Sequence, residues 1–98
     1  MVRLMVLYNP PEDPEAFDKH YNEIHIPLVK QWPGLLKYTV SRNLRPDSQF
    51  YLVAEMDFED KAAMRAALGS PAGAEAAADV EKFAPGGTIS LSYEVAEV

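Results

Sequence analysis

Ninety-eight residues with a net charge of −6 and no cysteine suit one domain spanning 1–98 and exclude several chemistries at once. Disulfides, thiolate nucleophiles and Cys-ligated zinc or Fe–S clusters fall with the cysteines; sequence-independent nucleic-acid binding falls with the charge, since the nine basic residues are scattered. A chain this short buries only about 60–65% of its unfolded surface, which argues against a large private cavity.

The first segment, MVRLMVLY, is too short to span a bilayer and lacks the organisation of a signal peptide. A cytoplasmic protein without membrane contact is therefore expected. Val2 to Tyr8 reads as a strand apolar on both faces apart from Arg3. Asn9 to Glu12 is a loop. Asp13-Pro14 reads as an N-cap followed by the first helical residue. Phe17, Tyr21, Ile24 and Leu28 then share one sector at helical spacing and predict the buried face of a first helix. Pro27 removes a backbone donor, so the helix should kink or change pitch between His25 and Pro27. Pro33-Gly34 stops it.

Leu36 to Asn43 alternates as a strand, Arg45 to Ser48 is a turn, and Gln49 to Phe58 predicts a long strand. Glu59-Asp60 opens a second helix, closed by Gly69. Ser70-Pro71 opens a third, whose buried stripe is Ala76, Val80 and Phe83. Pro85 to Gly87 is a loop, and Thr88 to Val95 is a closing strand.

The order β-α-β-β-α-α-β predicts an α+β fold: a ferredoxin-like plait, with a four-stranded antiparallel sheet and helices on one face. The opposite face should carry Arg3, Met5, Leu7, Lys37, Thr39, Ser41, Tyr51, Val53, Glu55, Ser90 and Ser92. That surface is too apolar for water and too polar for a dry core, which points to the same face of a second copy. A homodimer is expected, with a small-molecule site inside the resulting barrel or between each sheet and its helices.

His25 leads the candidates for chemistry. It sits about 80° from the centre of the apolar face on a helical wheel, beside the backbone that Pro27 loosens. A half-buried imidazole there can act as general acid or base; alternatively it hydrogen-bonds the freed carbonyl. His20 lies roughly 140° around from His25, so the two do not converge and a metal site is not expected. Asp79, on the shoulder of the third helix, can orient His25 or hold a substrate hydroxyl, or be simply solvated. Tyr21 reads as core with its hydroxyl satisfied. Tyr8, Asn9, Trp32 and Tyr51 are candidates to line an aromatic pocket. The signatures GxGxxG, P-loop, HExxH and GxSxG do not occur.

The segments VLYNP, FDKHYNEIHIPLV, PGLLKYTVSRNL, YLVAEMDFED, AADVEKF and ISLSYEV together resemble the EthD family of the dimeric α+β barrel superfamily. The most specific piece is HxPLV. The resemblance implies a ferredoxin-like subunit in a homodimer with sheets face to face. It places the family histidine on His25, the aspartate on Asp79 and the helix tyrosine on Tyr21. Similar barrels serve as polyketide cyclases, lactone isomerases, cofactor-free monooxygenases and haem-handling enzymes.

Three functions are consistent with these residues. One is a cofactor-independent enzyme in which His25 shuttles a proton on a small aromatic, polyketide-like or lactone-like metabolite, with Asp79 or a tyrosine positioning it and with Tyr8, Asn9, Tyr21, Trp32 and Tyr51 binding it. A second is a homodimeric module that carries or sequesters an apolar ligand for an oxygenase system. A third is haem binding through His20 or His25.

Overall fold

Apolar alternation in the strands and side-chain caps at three helix starts underlie most elements of the computed structural model, which describes residues 1–98. Strand β1 (Val2–Tyr8) leads into α1 (Pro14–His20), a π-helical turn (Tyr21–His25) and α2 (Ile26–Val29). Then come β2 (Lys37–Ser41), β3 (Leu52–Phe58), α3 (Lys61–Leu68), α4 (Pro71–Phe83) and β4 (Thr88–Glu94). The sheet order is β2-β3-β1-β4, and every neighbouring pair is antiparallel. This is the ferredoxin-like plait expected from the sequence. No helix is long and apolar enough to cross a membrane.

The helix starts follow the caps. Asp13 accepts from the Ala16 N–H at 3.1 Å, Asp60 from the Ala63 N–H at 2.8 Å, and Ser70 Oγ from the Gly73 N–H at 3.0 Å. Each satisfies a backbone donor that the first helical turn leaves free. Gly34, at φ +74°, makes the left-handed turn after the first helix that side chains resist.

The first helix departs from its expected phase. Its buried stripe is Phe17, Tyr21, His25 and Val29, while Ile24 is 46% exposed. The cause is the π turn, where the Ile26 N–H reaches back five residues to the Tyr21 carbonyl. The wider turn inserts one residue relative to α-helical pitch, so His25 rotates into the core and Ile24 out of it. The turn falls immediately before Pro27, whose missing N–H and bulky ring disfavour a regular α turn there.

Two strands are shorter than their composition suggests. β2 ends before Asn43, which has a positive φ of 56°. β3 begins at Leu52 because the Ser48 hydroxyl accepts the Phe50 N–H at 3.1 Å, removing that donor from the ladder.

The face of β4 also differs from expectation. Ile89, Leu91 and Tyr93 pair with Leu7, Met5 and Arg3, whereas Ser90 and Ser92 pair with Val6 and Leu4. Ser90 and Ser92 therefore lie on the helix side, and the apolar residues of β4 lie on the outer face. The expected phase assumed that the apolar side of an edge strand must face the helices. Here that side instead extends the outer surface, where Ile89 is 47%, Leu91 49% and Tyr93 37% exposed. On the same face Arg3 Nε donates to Asp57 at 2.7 Å.

Candidate active site

The first helix and α4 cross on the sheet so that one carboxylate meets two imidazoles. Asp79 is buried within α4. Its Oδ2 lies 3.0 Å from His25 Nδ1 and its Oδ1 lies 2.8 Å from His20 Nε2. The histidines converge after all, because residues five apart across a π turn come nearly into line instead of standing 140° apart. Phe83, one turn beyond Asp79, stacks on His20 at 5.0 Å and lies 4.9 Å from His25. It fixes both rings.

The protonation states follow from burial and partners. Burial works to raise the Asp79 carboxyl, but the hydrogen bonds and charge of His20 and His25 outweigh it and hold the group below its ordinary range. Asp79 is therefore an anion at neutral pH. Burial dominates at His25 and lowers its imidazole below the ordinary value of 6.5, against the opposing pull of Asp79. A neutral His25 beside a carboxylate must donate its Nδ1–H, which leaves Nε2 with its lone pair. The pair is an oriented base whose free nitrogen is Nε2.

His25 lines a cavity of about 330 Å³ between the sheet and the helices. Thirteen of its seventeen lining residues are hydrophobic, so it favours an apolar guest. Leu4, Val6, Ala54 and Met56 form the sheet wall, and Val29, Ala76 and Val80 face them from the helices. Tyr8, Tyr21, Trp32 and Tyr38 supply the polar points. The Tyr21 and Tyr38 hydroxyls share a hydrogen bond of 2.7 Å. Burial raises the phenols of Tyr8, Tyr21 and Tyr38, so all three remain neutral hydroxyls at physiological pH.

Among the residues singled out from the sequence, the structure thus gathers His25, Tyr8, Tyr21 and Trp32 around one space, with Asp79 directly behind His25. It does not bring Asn9 or Tyr51 there. The Asn9 amide donates to the Gly86 and Gly87 carbonyls at 3.2 and 3.3 Å, closing a loop. The Tyr51 hydroxyl donates to Asp18 at 2.9 Å, and its ring packs edge-on against Phe17. His20, partly exposed, pairs with Asp79. Sequence reasoning missed Tyr38 as a cavity residue. Its alternation with Val40 in β2 puts it on the helix side, and that phase was the available signal. No group of three or more His, Asp or Glu residues is arranged to hold a metal ion.

Several known proteins are similar to this chain. An uncharacterised 11.0 kDa protein of Rhodococcus erythropolis, from the thcB-thcC intergenic region, is 42% identical over 95 residues, covering 93% of this chain and 91% of its own. The crystal structure of an EthD family protein from Bacillus halodurans C-125 superposes with a TM-score of 0.92 at 35% identity, over 98% of this chain and 99% of that one. Two more distant structures share the fold. SnoaB of Streptomyces nogalater, described as a cofactor-independent oxygenase, has a TM-score of 0.75 at 18% identity, with 99% and 94% of the chains covered. A dimeric ferredoxin-like protein of unknown function from Thermobifida fusca has 0.76 at 13%, with 96% and 90% covered. The EthD domain model matches residues 9–87, a stretch that holds α1, the π turn with His25, and α4 with Asp79, so the chain belongs to the EthD family.

Proposed function

We propose that this protein is a small cofactor-independent enzyme that moves a proton on a small aromatic, polyketide-like or lactone-like molecule. The observation that carries the reading is the buried His25–Asp79 pair on the wall of an apolar cavity. His25 Nε2 takes a proton from an acidic C–H of the guest. Asp79 holds the ring in the tautomer that leaves Nε2 free and stabilises the imidazolium that forms. One placed base of this kind contributes about 10²–10⁴-fold in rate. The fold-level likeness to SnoaB is compatible with such a site and does not specify the reaction.

The reading includes a homodimer. Met5, Leu7, Val53, Ile89 and Leu91 share the outer sheet face by register, and a second copy is the natural cover for so apolar a surface. The T. fusca neighbour is described as a dimer.

The test follows deuterium incorporation from D₂O into the α-carbon of enolisable aryl ketones and small lactones by NMR. Catalysed exchange that falls at least 10²-fold in His25→Ala supports the reading. Exchange no faster than buffer alone across that panel removes it and favours a carrier. The lining, without an Asp, Glu, Lys or Arg side chain, suits a carrier of apolar molecules equally well.

A further inference from the structure

We propose that His20 is a positioning residue of this site: its Nε2–H clamps Asp79 Oδ1 so that Oδ2 stays on His25 Nδ1. This rests on the proton-transfer reading above and adds a residue to its machinery.

The starting point is how the carboxylate is divided. Asp79 Oδ1 lies 2.8 Å from His20 Nε2, and Oδ2 lies 3.0 Å from His25 Nδ1. An ionised carboxylate can only accept, so His20, charged or neutral, donates its Nε2–H. Each oxygen has its own imidazole, and the two bonds together oppose rotation of the carboxylate. The His20 ring is held in turn by stacking on Phe83 at 5.0 Å.

His20 does this from outside the guest's space. It does not line the cavity beside His25. It lines a second cavity of about 440 Å³ together with Glu12, Asp13 and Lys82, and its side chain is 25% exposed. Any effect of His20 on the guest therefore runs through Asp79 and His25.

Burial makes the clamp matter. Asp79 is only 4% exposed. Without the His20 donor, Oδ1 becomes a buried acceptor short of a partner, which carries the full desolvation penalty of that atom. The group relieves this by turning Oδ1 towards water or by taking up a proton, and either change weakens its bond to His25. The Asp79 carboxyl agrees in direction: burial pushes it up, and the His20 hydrogen bond is the largest of the influences that bring it down. A loosened or protonated Asp79 no longer fixes His25 as the Nδ1–H tautomer. Nε2 is then a free base for only part of the time, and the imidazolium formed there is less stabilised.

The chain has two histidines, so long-range ¹H–¹⁵N spectra of the labelled protein show two imidazole patterns, and a His20 variant leaves that of His25 alone. The experiment compares the parent, His20→Phe and His20→Gln at about pH 8, above the ordinary imidazole range. Phenylalanine keeps a ring against Phe83 but has no donor. Glutamine offers an amide N–H of similar reach. In the parent, His25 should show one protonated nitrogen, Nδ1, and one bare nitrogen, Nε2. In His20→Phe the two nitrogen shifts should move towards each other as the tautomers mix, and in His20→Gln they should return towards the parent. An unmoved His25 pattern in His20→Phe overturns the proposal. So does an equal change in both variants, which would make His20 a packing residue only.

Deuterium exchange into the same ketones and lactones, followed in parallel, separates the clamp from the function beneath it. His20→Phe should slow exchange roughly 10–100-fold, as loss of an outer hydrogen-bond partner does, and His20→Gln should recover most of it. A parent without catalysed exchange removes the proton-transfer reading, while the His25 pattern still decides the clamp. Exchange at the parent rate in His20→Phe keeps the base and removes the role of His20.

Discussion

At the scale of single residues, Asp79 is the group on which the site turns. It accepts from both histidines, and bonds to a charged acceptor contribute roughly 1.5–3 kcal/mol each. Asp79→Ala should therefore cost about 2–4 kcal/mol of stability in urea unfolding; a loss below about 0.5 kcal/mol would show that the carboxylate does not hold the imidazoles. Asp79→Asn should keep the fold and slow His25-dependent proton exchange by roughly 10²-fold, because an amide neither fixes the tautomer nor stabilises the imidazolium.

The His25 imidazole, lowered by burial, sets a pH dependence of its own. The unfolded chain binds a proton at the ordinary value of 6.5 and the folded chain does not until lower pH, so protons favour unfolding. Stability should be full above that value and decline as pH falls from 7 towards 5. His25→Phe should flatten part of that decline in thermal melts, and an unchanged slope would remove His25 as its source. Asp79, held low, adds a separate loss only in acid, as pH falls below its ordinary 3.8.

At the scale of elements, the π turn is what the wheel did not anticipate. Pro27 pointed to a disturbed helix at the right place, yet periodicity cannot tell a kink from an inserted residue. That difference decides whether Ile24 or His25 is buried. Helix α4 shows a second local constraint. A Cβ on Gly73 would stand 2.2 Å from the Ala67 carbonyl oxygen and 2.6 Å from that of Leu68, so α4 abuts the end of α3 where only hydrogen fits. Gly73→Ala should cost about 1–3 kcal/mol through overpacking, although alanine is the better helix former by about 1 kcal/mol. Gly86→Ala, with nothing within 4 Å of its Cβ position, should stay within about 0.5 kcal/mol of the parent. Thermal denaturation of both variants checks the contrast.

At the scale of the whole molecule, β4 turns its Ile89, Leu91 and Tyr93 outward beside Met5 and Leu7. This makes the outer face more apolar than the expected Ser90 and Ser92 would have made it. The corrected phase strengthens the case for a second copy. Light scattering at micromolar concentration should give twice the chain mass, and Leu91→Lys should return it to the single-chain mass by placing a charge on the apolar outer face that a second copy would cover. A parent already monomeric at that concentration would leave the outer face without its proposed cover.

The sequence by itself determined the element order, the three helix starts at Asp13, Asp60 and Ser70, and the plait. All are set by local signals: caps, proline positions and apolar period. It also marked His25 as a group worth following, because few others here carry acid–base chemistry near neutrality, and Asp79 by its place on the shoulder of the buried stripe of α4. Tertiary structure alone decided that His20 and His25 share one carboxylate, that Trp32 lines the same cavity as His25 while Asn9 and Tyr51 lie outside it, and which way β4 faces. Those outcomes depend on helix crossing and strand register, which bring together residues more than fifty positions apart, and no local pattern in a single chain encodes such a pairing.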